Sequence, residues 1–252
     1  MFNQLKNTVV FVTGAGSGLG LGTVKRLLDQ GVKGVTAFDL RASDFTHDNL
    51  LQIQGDVTKE DSVAKALDQC EKKFGHIGAV VNCAGIGYAA RIYDSKRNRI
   101  HPMDEFRKVI EVNTIGTFNV ARLAPQFLVK NEMVAGQRGV IIMTSSVAAQ
   151  DAQIGQVAYA ASKGAVNGMT LAIARDLCIA GIRCCTIAPG LFDTPLLQGL
   201  PDKVRVHLAS TVPCPARLGD PMEYGHLVQT IIENTMLNGE IIRLDGALRM
   251  QP

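Results

Sequence analysis

A glycine-rich turn between two regular runs is the feature that most restricts how this chain can fold. Residues 8–13 (TVVFVT) are apolar and β-branched, GAGSGLG follows at once, and an amphipathic run continues to a glycine at position 31. Gly14, Gly18 and Gly20 permit a tight turn and let the backbone approach a pyrophosphate at the helix N-terminus. A plain strand-to-helix turn is the alternative. Because strand, loop and helix come in the order that dinucleotide binding requires, we expect a nucleotide-binding α/β fold.

The second predicted strand ends in a carboxylate. Residues 34–39 (GVTAFD) are mostly apolar up to Asp39, which lies nineteen residues beyond Gly20. An acid at this position hydrogen-bonds the adenine-ribose hydroxyls, and its charge repels a 2′-phosphate. Arg41 would favour the phosphorylated cofactor, and a solvated loop carboxylate is a second interpretation. Because the carboxylate lies at the strand end itself, we predict NAD rather than NADP.

Two later strand ends are expected near the same cofactor. After a short third strand at residues 51–54, Asp56 is predicted to cap the helix that begins near Lys59, to accept from the adenine amino group, or to do both. The strand at residues 77–82 then runs into three small residues, Cys83, Ala84 and Gly85. Small side chains there would let the cofactor ribose lie close to the backbone.

The candidate catalytic residues lie between positions 146 and 163. Tyr159 and Lys163 are four residues apart, so on a helix that begins near residue 156 they project from one face. An ammonium beside a phenol favours the phenolate, and we expect it to lower the pKa of Tyr159 from about 10 towards working pH. The Ser146 hydroxyl would hydrogen-bond the same substrate oxygen. A tyrosine and a lysine at this spacing also occur by chance, but the serine and the glycine loop favour proton transfer at a carbonyl or alcohol oxygen.

One asparagine, Asn113, lies among apolar residues in the helix predicted from Met103 to about Val120. An amide there lowers helix propensity and needs hydrogen-bond partners if it is buried. Asn113 is expected to bond the backbone, or to hold a water that links Lys163 to solvent. The two roles are compatible.

Two connecting segments stand out. Residues 91–102 (RIYDSKRNRIHP) are basic, which predicts a solvated loop; the sharper hypothesis is a basic rim that holds the phosphates of a bulky substrate such as coenzyme A. Residues 191–217 are proline-rich, apolar in patches and long for a connection. This pattern predicts a lid over the substrate, with an ordinary capping subdomain as the alternative.

Composition sets wider limits. The 252 residues suffice for one large α/β domain, and a formal charge of +3 is too small to indicate nucleic acid as the main partner. No apolar run reaches the roughly eighteen residues of a membrane span, so we expect a soluble protein. The first strand begins by about residue 8, so we expect no cleavable presequence of the usual length. Six cysteines without a CxxC pair favour buried, reduced thiols. No two of the five histidines have metal-ligand spacing, so no metal site is expected.

These residues together resemble the short-chain dehydrogenase/reductase family, in the family's order and over essentially the whole chain. The resemblance implies a single NAD-binding domain over residues 1–252 with a Rossmann-type, doubly wound parallel sheet of about seven strands and helices on both faces. It implies a catalytic set of Asn113, Ser146, Tyr159 and Lys163, and substrate contacts from Ser146, Gln153 and Tyr159. The cofactor residues that it implies are Gly14, Ser17, Gly18, Leu19, Gly20, Asp39, Asp56, Val57, Cys83, Ala84, Gly85, Tyr159, Lys163, Phe192 and Thr194.

Motifs in the C-terminal half, among them GQVAYAASKGAVNGMT, TIAPGLFDTPLL and NGEIIRLDGALRMQP, resemble one branch of the family more narrowly. This resemblance implies reversible, NAD-dependent oxidation of L-3-hydroxyacyl-CoA to 3-ketoacyl-CoA. A hydroxysteroid is the alternative substrate, and a scaffold role among tRNA-processing partner proteins in mitochondria is the alternative function. The branch also implies a homotetramer and a mitochondrial location, or a cytoplasmic one if the source is bacterial. Residues 91–102 resemble the family's characteristic insertion near the acyl-CoA entrance, although their own sequence differs, and residues 126–138 depart from the expected pattern.

Overall fold

The structure is a computed structural model that describes residues 4–252. Its centre is a seven-stranded parallel sheet in the order β3-β2-β1-β4-β7-β8-β9. A separate two-stranded antiparallel hairpin pairs β5 with β6. The strands are β1 Val9–Thr13, β2 Gly34–Asp39, β3 Leu50–Gln54, β4 Ile77–Asn82, β5 Tyr93–Asp94, β6 Arg99–Ile100, β7 Gly139–Thr144, β8 Ile182–Pro189 and β9 Ile241–Leu244.

Helices connect the strands and cover both faces of the sheet. A π-helical turn at Glu111–Gly116 joins α4 to α5, and a 3₁₀ turn follows β7 at Val147–Ala149. The α-helices are α1 Gln4–Asn7, α2 Gly18–Asp29, α3 Glu60–Phe74, α4 Met103–Ile110, α5 Thr117–Leu123, α6 Pro125–Leu128, α7 Val157–Asp176, α8 Pro195–Gln198, α9 Asp202–Ser210 and α10 Pro221–Glu233.

The alternation of side chains along β1 shows why the sheet needs cover on both faces. Val10 and Val12 pack into one core cluster with α2 and α10, while Val9 and Phe11 pack into the other with α3, α5 and α7. All five residues of β1 and all eight of β8 are buried. Apolar, β-branched runs without a polar face suit strands buried on both sides. The predicted doubly wound fold is therefore confirmed.

Several boundaries differ slightly from those predicted. The first strand begins at Val9 rather than residue 8, and the third strand begins at Leu50 rather than residue 51. The basic segment expected to be a loop folds as an exposed hairpin, with Asn98 at a left-handed φ of 47° in its turn. The predicted lid segment contains two short helices, α8 and α9.

The strand order fixes where a ligand can bind. Strands β1 and β4 are neighbours, with β2 and β3 on one side and β7, β8 and β9 on the other, so the connections diverge between β1 and β4. A crevice forms beyond the carboxyl ends of the strands at such a switch point. Within residues 4–252, no helix has the length and apolar character needed to cross a bilayer.

Candidate active site

Backbone contacts at the glycine turn close the first strand onto its neighbour. Gly14 adopts a left-handed φ of 64°, and a Cβ placed on it would lie 2.5 Å from the Ala84 amide nitrogen. A Cβ on Gly20 would lie 2.2 Å from the Gly14 carbonyl oxygen. Glycine is therefore required at both positions, because any side chain would displace backbone. The turn lies against the residues that end β4.

The start of α2 presents polar groups that its own helix leaves unused. Ser17 is the N-cap residue, with extended backbone, and its hydroxyl makes no capping hydrogen bond. The first N–H groups of a helix have no intrahelical acceptor, and they favour an anion. A Cβ on Gly18 would lie 3.3 Å from the Thr194 side chain, and Leu19 is half-buried in the core beneath the loop. The structure thus brings Thr194 to the glycine loop, 176 positions away in sequence from Gly18.

Asp39 is held at the end of β2 by two backbone amides. Gly16 donates to its Oδ2 at 2.9 Å and Arg41 donates to its Oδ1 at 3.1 Å. The carboxylate is half-buried, while Arg41 is exposed. Gly16 is a residue that the sequence reasoning missed, although its place among the loop glycines is a visible signal. A Cβ there would lie 2.4 Å from the Arg41 carbonyl oxygen.

Asp56 does not cap the following helix, so that part of the prediction is wrong. Lys59 is the N-cap residue of α3, and it makes no side-chain capping bond. Asp56 instead accepts from the Thr58 amide and hydroxyl, both at 2.9 Å, because its side chain reaches the residue two positions on more readily than the first helical turn. Val57, next to it, is buried and accepts at its carbonyl from Asn119.

The end of β4 is pinned to β1 and leaves an open backbone. The Cys83 amide donates to the Thr13 carbonyl at 3.2 Å, and the Ala84 amide donates to the Thr13 hydroxyl at 3.3 Å. Gly85 is exposed, and a Cβ on it would lie 3.5 Å from Lys163 Nζ. These contacts place the small residues of the β4 end beside Lys163 of α7.

Tyr159 and Lys163 lie in the first two turns of α7, as predicted. Lys163 Nζ donates to the Thr144 carbonyl at the end of β7, at 2.9 Å, and lies 5.7 Å from the centre of the Tyr159 ring. The Ser145 hydroxyl donates to the Lys163 carbonyl at 3.0 Å. The end of β7 thus fixes both the backbone and the side chain of the lysine.

The predicted direction of the Tyr159 pKa is wrong in this structure. Burial raises the pKa of Tyr159, and a hydrogen bond with Ser146 opposes that rise only in part. Burial also lowers the pKa of Lys163 to about 8, against a smaller opposing effect of Cys83. The lysine does not lower the tyrosine's pKa because its ammonium is bonded to Thr144 and the desolvation of the phenolate dominates. At neutral pH Tyr159 is therefore a protonated phenol, which is a proton donor.

Ser146 lies where β7 ends and the 3₁₀ turn begins. Its hydroxyl accepts from the Ala148 amide at 3.1 Å as the N-cap, and it is within hydrogen-bonding reach of the Tyr159 phenol. Two hydroxyls therefore face one point at the carboxyl edge of the sheet. This arrangement can bind and protonate a carbonyl oxygen, or bind and deprotonate an alcohol.

Asn113 is fully buried in the π-helical turn between α4 and α5. Its amide exchanges two bonds with the Ile86 backbone, at 2.8 and 2.9 Å, and donates to the Ser162 hydroxyl at 3.0 Å. The predicted bonding to backbone is therefore observed. π-Turns of this kind occur often at functional sites. Here the turn connects the loop after β4 to α7.

Two residues implied by the resemblance have surroundings that limit their roles. Phe192 is buried in the core, with its ring against Gly219, so only its backbone can meet a cofactor. Gln153 is half-buried, and its Nε2 donates to the Gln251 carbonyl near the C-terminus at 3.1 Å. No sequence signal connected residue 153 to the last residues of the chain.

The thiols and the metal prediction can be compared with the structure directly. All six cysteines are free, but Cys178 and Cys214 are exposed, so the expectation that the thiols are buried holds only in part. In the part of the chain that the structure describes, no group of three or more histidine, cysteine, aspartate or glutamate side chains is placed to hold a metal ion.

The residues present fit a nicotinamide dinucleotide. Along the carboxyl edge of the sheet, the Asp39 carboxylate ends β2, and the glycine turn with the uncommitted Ser17 hydroxyl follows the neighbouring strand β1, so a ribose site comes first and a phosphate site second. The exposed backbone at Gly85 and the Lys163 ammonium lie beyond them towards Tyr159. A cofactor extended along this edge would end beside the two hydroxyls.

Comparisons with known proteins agree with this geometry. A family model described as short chain dehydrogenase matches residues 8–205. The chain is 54% identical over 256 residues to 3-hydroxyacyl-CoA dehydrogenase type-2 of Rattus norvegicus, covering 99% of this chain and 98% of the relative. It is 52% identical over 256 residues to the protein of the same name from Drosophila melanogaster, covering 99% and 100%. A crystal structure of 3-hydroxyacyl-CoA dehydrogenase type-2 from Mycobacterium avium, 37% identical, matches with a TM-score of 0.93 and covers 100% of both chains.

Proposed function

Because the chain belongs to the short-chain dehydrogenase/reductase family, we propose that it oxidises L-3-hydroxyacyl-CoA reversibly to 3-ketoacyl-CoA with NAD⁺. The chain is an oxidoreductase of a family that uses a nicotinamide cofactor. The observation that carries the proposal is the meeting of Tyr159, Ser146 and Lys163 at the carboxyl edge of the sheet, in a chain 54% identical to a 3-hydroxyacyl-CoA dehydrogenase type-2.

The proposed chemistry assigns one role to each side chain. In the reductive direction the Tyr159 phenol donates its proton to the ketone oxygen, and in the oxidative direction the phenolate, which the raised pKa confines to higher pH, takes the proton of the alcohol. Ser146 holds the same oxygen by a hydrogen bond. The cofactor, when bound, supplies or accepts the hydride. Lys163 is proposed to bind the nicotinamide ribose, and Asn113 to hold the water of a proton relay from Lys163 to solvent.

The choice of NAD over NADP rests on Asp39. Its carboxylate is anchored by Gly16 and Arg41 amides at 2.9 and 3.1 Å, so its position at the strand end is fixed. A fixed negative charge there hydrogen-bonds ribose hydroxyls and repels a 2′-phosphate. The remaining cofactor contacts are proposed for the residues named above, with Phe192 contributing backbone only.

The segment at residues 191–217 is proposed as a substrate lid within a single domain. Its two helices carry exposed apolar side chains, and a Cβ on Gly87 would lie 3.5 Å from Leu196 Cδ1. The segment therefore approaches the loop after β4 across the substrate site. The exposed apolar residues in this segment are Leu196, Leu200, Val204 and Val206.

The assembly and location follow from the family resemblance and are proposed with it. A homotetramer would cover apolar side chains that α5, the π-helical turn and α7 leave exposed, including Ile115, Phe118 and Leu171. We propose a mitochondrial location if the source is an animal and a cytoplasmic one if it is a bacterium.

The experiment that tests the reaction is NADH consumption at neutral pH with acetoacetyl-CoA, with wild type beside Tyr159→Phe. Wild type should turn over, and the variant should lose about 10²-fold or more in kcat because the phenol is the proton donor. Tyr93→Phe is the matched control, since Tyr93 is half exposed and bonds Asn98 on the hairpin. Undiminished turnover in Tyr159→Phe would mean that another group donates the proton.

Absence of turnover in wild type would direct the test to the two alternatives. Oxidation of a 17β-hydroxysteroid would identify a steroid dehydrogenase, whose substrate the apolar lid also suits. Retention of a tRNA methyltransferase partner in a pull-down by both wild type and Tyr159→Phe would identify a scaffold, for which the catalytic residues are dispensable.

A further inference from the structure

The most heavily bonded surface arginine in this structure lies next to the active site and has no role in the chemistry described. Arg243, in β9, has a side chain only 18% exposed, and every branch of its guanidinium is used. Its Nε donates to Asp245 at 2.7 Å, one Nη donates to Gln150 at 2.7 Å, and the other donates to Asp151 at 2.7 Å and to the Leu248 carbonyl at 2.9 Å.

The partners of Arg243 belong to two different segments. Gln150 and Asp151 directly follow the 3₁₀ turn that Ser146 caps, and the Asp151 amide donates to the Val147 carbonyl at 2.8 Å. Movement of Asp151 therefore reaches Ser146 through one short turn. We call residues 147–153 the serine segment.

The other partners lie in the C-terminal residues 245–252, which we call the tail. The tail turns sharply at Gly246 and Ala247, both with left-handed φ, at 59° and 67°. Asp245 holds this turn by accepting from the Ala247 amide at 3.0 Å, and the same carboxylate receives Arg243. A non-glycine residue in this region costs about 1–2 kcal/mol, so the turn depends on these bonds.

The tail lies between the serine segment and the proposed lid. The Gly246 carbonyl accepts from the Cys214 amide at 3.2 Å, at the end of the lid, and a Cβ on Gly246 would lie 2.6 Å from a Val212 methyl. On its other side, the Gln251 carbonyl receives Gln153. The tail thus reaches both walls of the substrate site, and the Arg243 guanidinium joins it to the wall that contains Ser146.

We propose that Arg243 is a positioning residue that clamps the tail to the serine segment and so fixes the substrate-facing wall of the site. The role rests on the proposed function, because the wall is the one that would meet the acyl-CoA. Arg243 does not touch the reacting atoms. Its planar fork suits the task, since it satisfies Asp245, Gln150 and Asp151 in fixed directions at once.

The test compares Arg243→Gln with Arg249→Gln. Arg249 lies in the same tail and also bonds Asp245 and the Leu248 carbonyl, but its side chain is 64% exposed and it does not reach the serine segment. Arg243→Gln should raise KM for acetoacetyl-CoA about 10-fold and lower kcat several-fold, with NADH affinity unchanged, because a loosened wall misplaces the substrate and Ser146 but leaves the cofactor loop intact. Arg249→Gln should resemble wild type. Arg243→Lys should recover only part of the loss, since an ammonium cannot form the fork.

Amide hydrogen exchange on the same proteins gives a readout that does not depend on the substrate. Arg243→Gln should speed exchange in residues 147–153 and in the tail, and leave β1 and α2 unchanged. A lowered melting temperature with wild-type KM and wild-type exchange in the serine segment would overturn the proposal. Failure of wild type to reduce acetoacetyl-CoA would count against the proposed function alone, because the exchange comparison still decides the role of Arg243.

A second variant covers the case in which Arg243→Gln does not fold. Asp151→Asn removes the charge on the serine-segment side and leaves the Asp245 and Leu248 contacts in place. It should shift KM and the exchange of residues 147–153 in the same direction, by about 3-fold in KM. Wild-type values for both in this variant would also overturn the proposal.

Discussion

The cofactor half and the substrate half of this molecule are built in different ways. In the cofactor half, the site residues at the ends of β1, β2 and β4 are placed by their own turn or by an adjacent strand, as Asp39 is by the Gly16 and Arg41 amides. The substrate half combines the hairpin, the serine segment, the lid and the tail, which come from distant parts of the chain. Its contacts are made largely by side chains, and Arg243 and Asp151 are 92 positions apart.

This difference has a physical consequence. Backbone contacts between neighbouring parallel strands are repeated along the whole ladder, so removing one side chain does not break them. A wall held by a few side-chain contacts, such as those of Arg243 and Gln153, can be loosened or reshaped by one substitution.

The largest effect should come from crowding the backbone of the cofactor half. Gly14→Ala places a methyl group 2.5 Å from the Ala84 amide nitrogen at a left-handed φ of 64°. Overpacking costs about 1–3 kcal/mol, and the left-handed residue about 1–2 more. Urea unfolding should report a loss of about 2–5 kcal/mol, and NADH binding should weaken.

Gly31→Ala is the matched control for Gly14→Ala. Gly31 also has a left-handed φ, 76°, but nothing lies within 4 Å of a Cβ there. Gly31→Ala should lower the unfolding free energy only by the cost of the left-handed backbone, about 1–2 kcal/mol. Equal losses in both variants would show that close backbone approach is not what the glycine loop provides.

The next largest effect is expected at Lys163, whose ammonium bonds the Thr144 carbonyl where the cofactor half meets the substrate half. Burial lowers its pKa from 10.5 to about 8, so between these values the unfolded chain binds more protons than the folded one, and stability should rise with pH. A pKa shift of this size corresponds to about 3 kcal/mol of unfolding free energy. The difference in unfolding free energy between wild type and Lys163→Met should change by about that amount from pH 8 to pH 10.5.

Lys73→Met is the control, because Lys73 is exposed on α3. Its difference from wild type is the reference for the Lys163→Met difference at each pH. A difference for Lys163→Met that does not change with pH would mean that burial does not lower the pKa of this lysine.

The same contrast explains which parts of the site could be predicted from the sequence. The glycine loop, Asp39, and the Tyr159–Lys163 pair each lie within one strand–turn–helix unit, where spacing alone fixes geometry. The link from Thr194 to Gly18, the fork of Arg243 and the Gln153–Gln251 bond depend on how remote segments pack. Residue spacing carries no information about those contacts.

The predicted direction of the Tyr159 pKa shift was wrong for a related reason. The direction of the Tyr159 pKa depends on how much water surrounds the phenol and on where the ammonium is bonded, and neither is a local property. The prediction that Asp56 caps the helix was wrong because two sets of donors, the Thr58 amide and hydroxyl and the N–H groups of the helix N-terminus, compete for its carboxylate within a few residues. A sequence motif identifies such residues but does not determine which of the available groups they bond.

A moderate effect is expected at the ribose site of the cofactor half. Asp39→Ala removes a charged hydrogen-bond acceptor, and such bonds contribute about 1.5–3 kcal/mol. NAD⁺ binding should weaken about 10-fold or more, and the preference over NADP⁺ should narrow. Asp44→Ala, an exposed acid in the same loop, should leave both affinities unchanged. An unchanged ratio of the two cofactors in Asp39→Ala would remove Asp39 from this role.

The smallest effect should come from the hairpin of the substrate half. Arg97 and Arg99 are exposed there, and Arg97 has only a 3.8 Å ion pair with Asp94. Replacing both by Gln should raise KM for acetoacetyl-CoA about 2–5-fold, since exposed charge pairs contribute about 0.2–1 kcal/mol each. The effect should shrink as salt is added. KM for a hydroxysteroid should stay the same, because a steroid has no phosphates for these guanidiniums to bind.

Two exposed α3 lysines, Lys65 and Lys73, provide the control pair for the loss of two positive charges. The hairpin is a solvated loop if both pairs of substitutions change KM equally, or if the hairpin variant changes KM for the steroid and for the thioester alike. In that case only the serine segment, the tail and the lid of the substrate half contact the substrate.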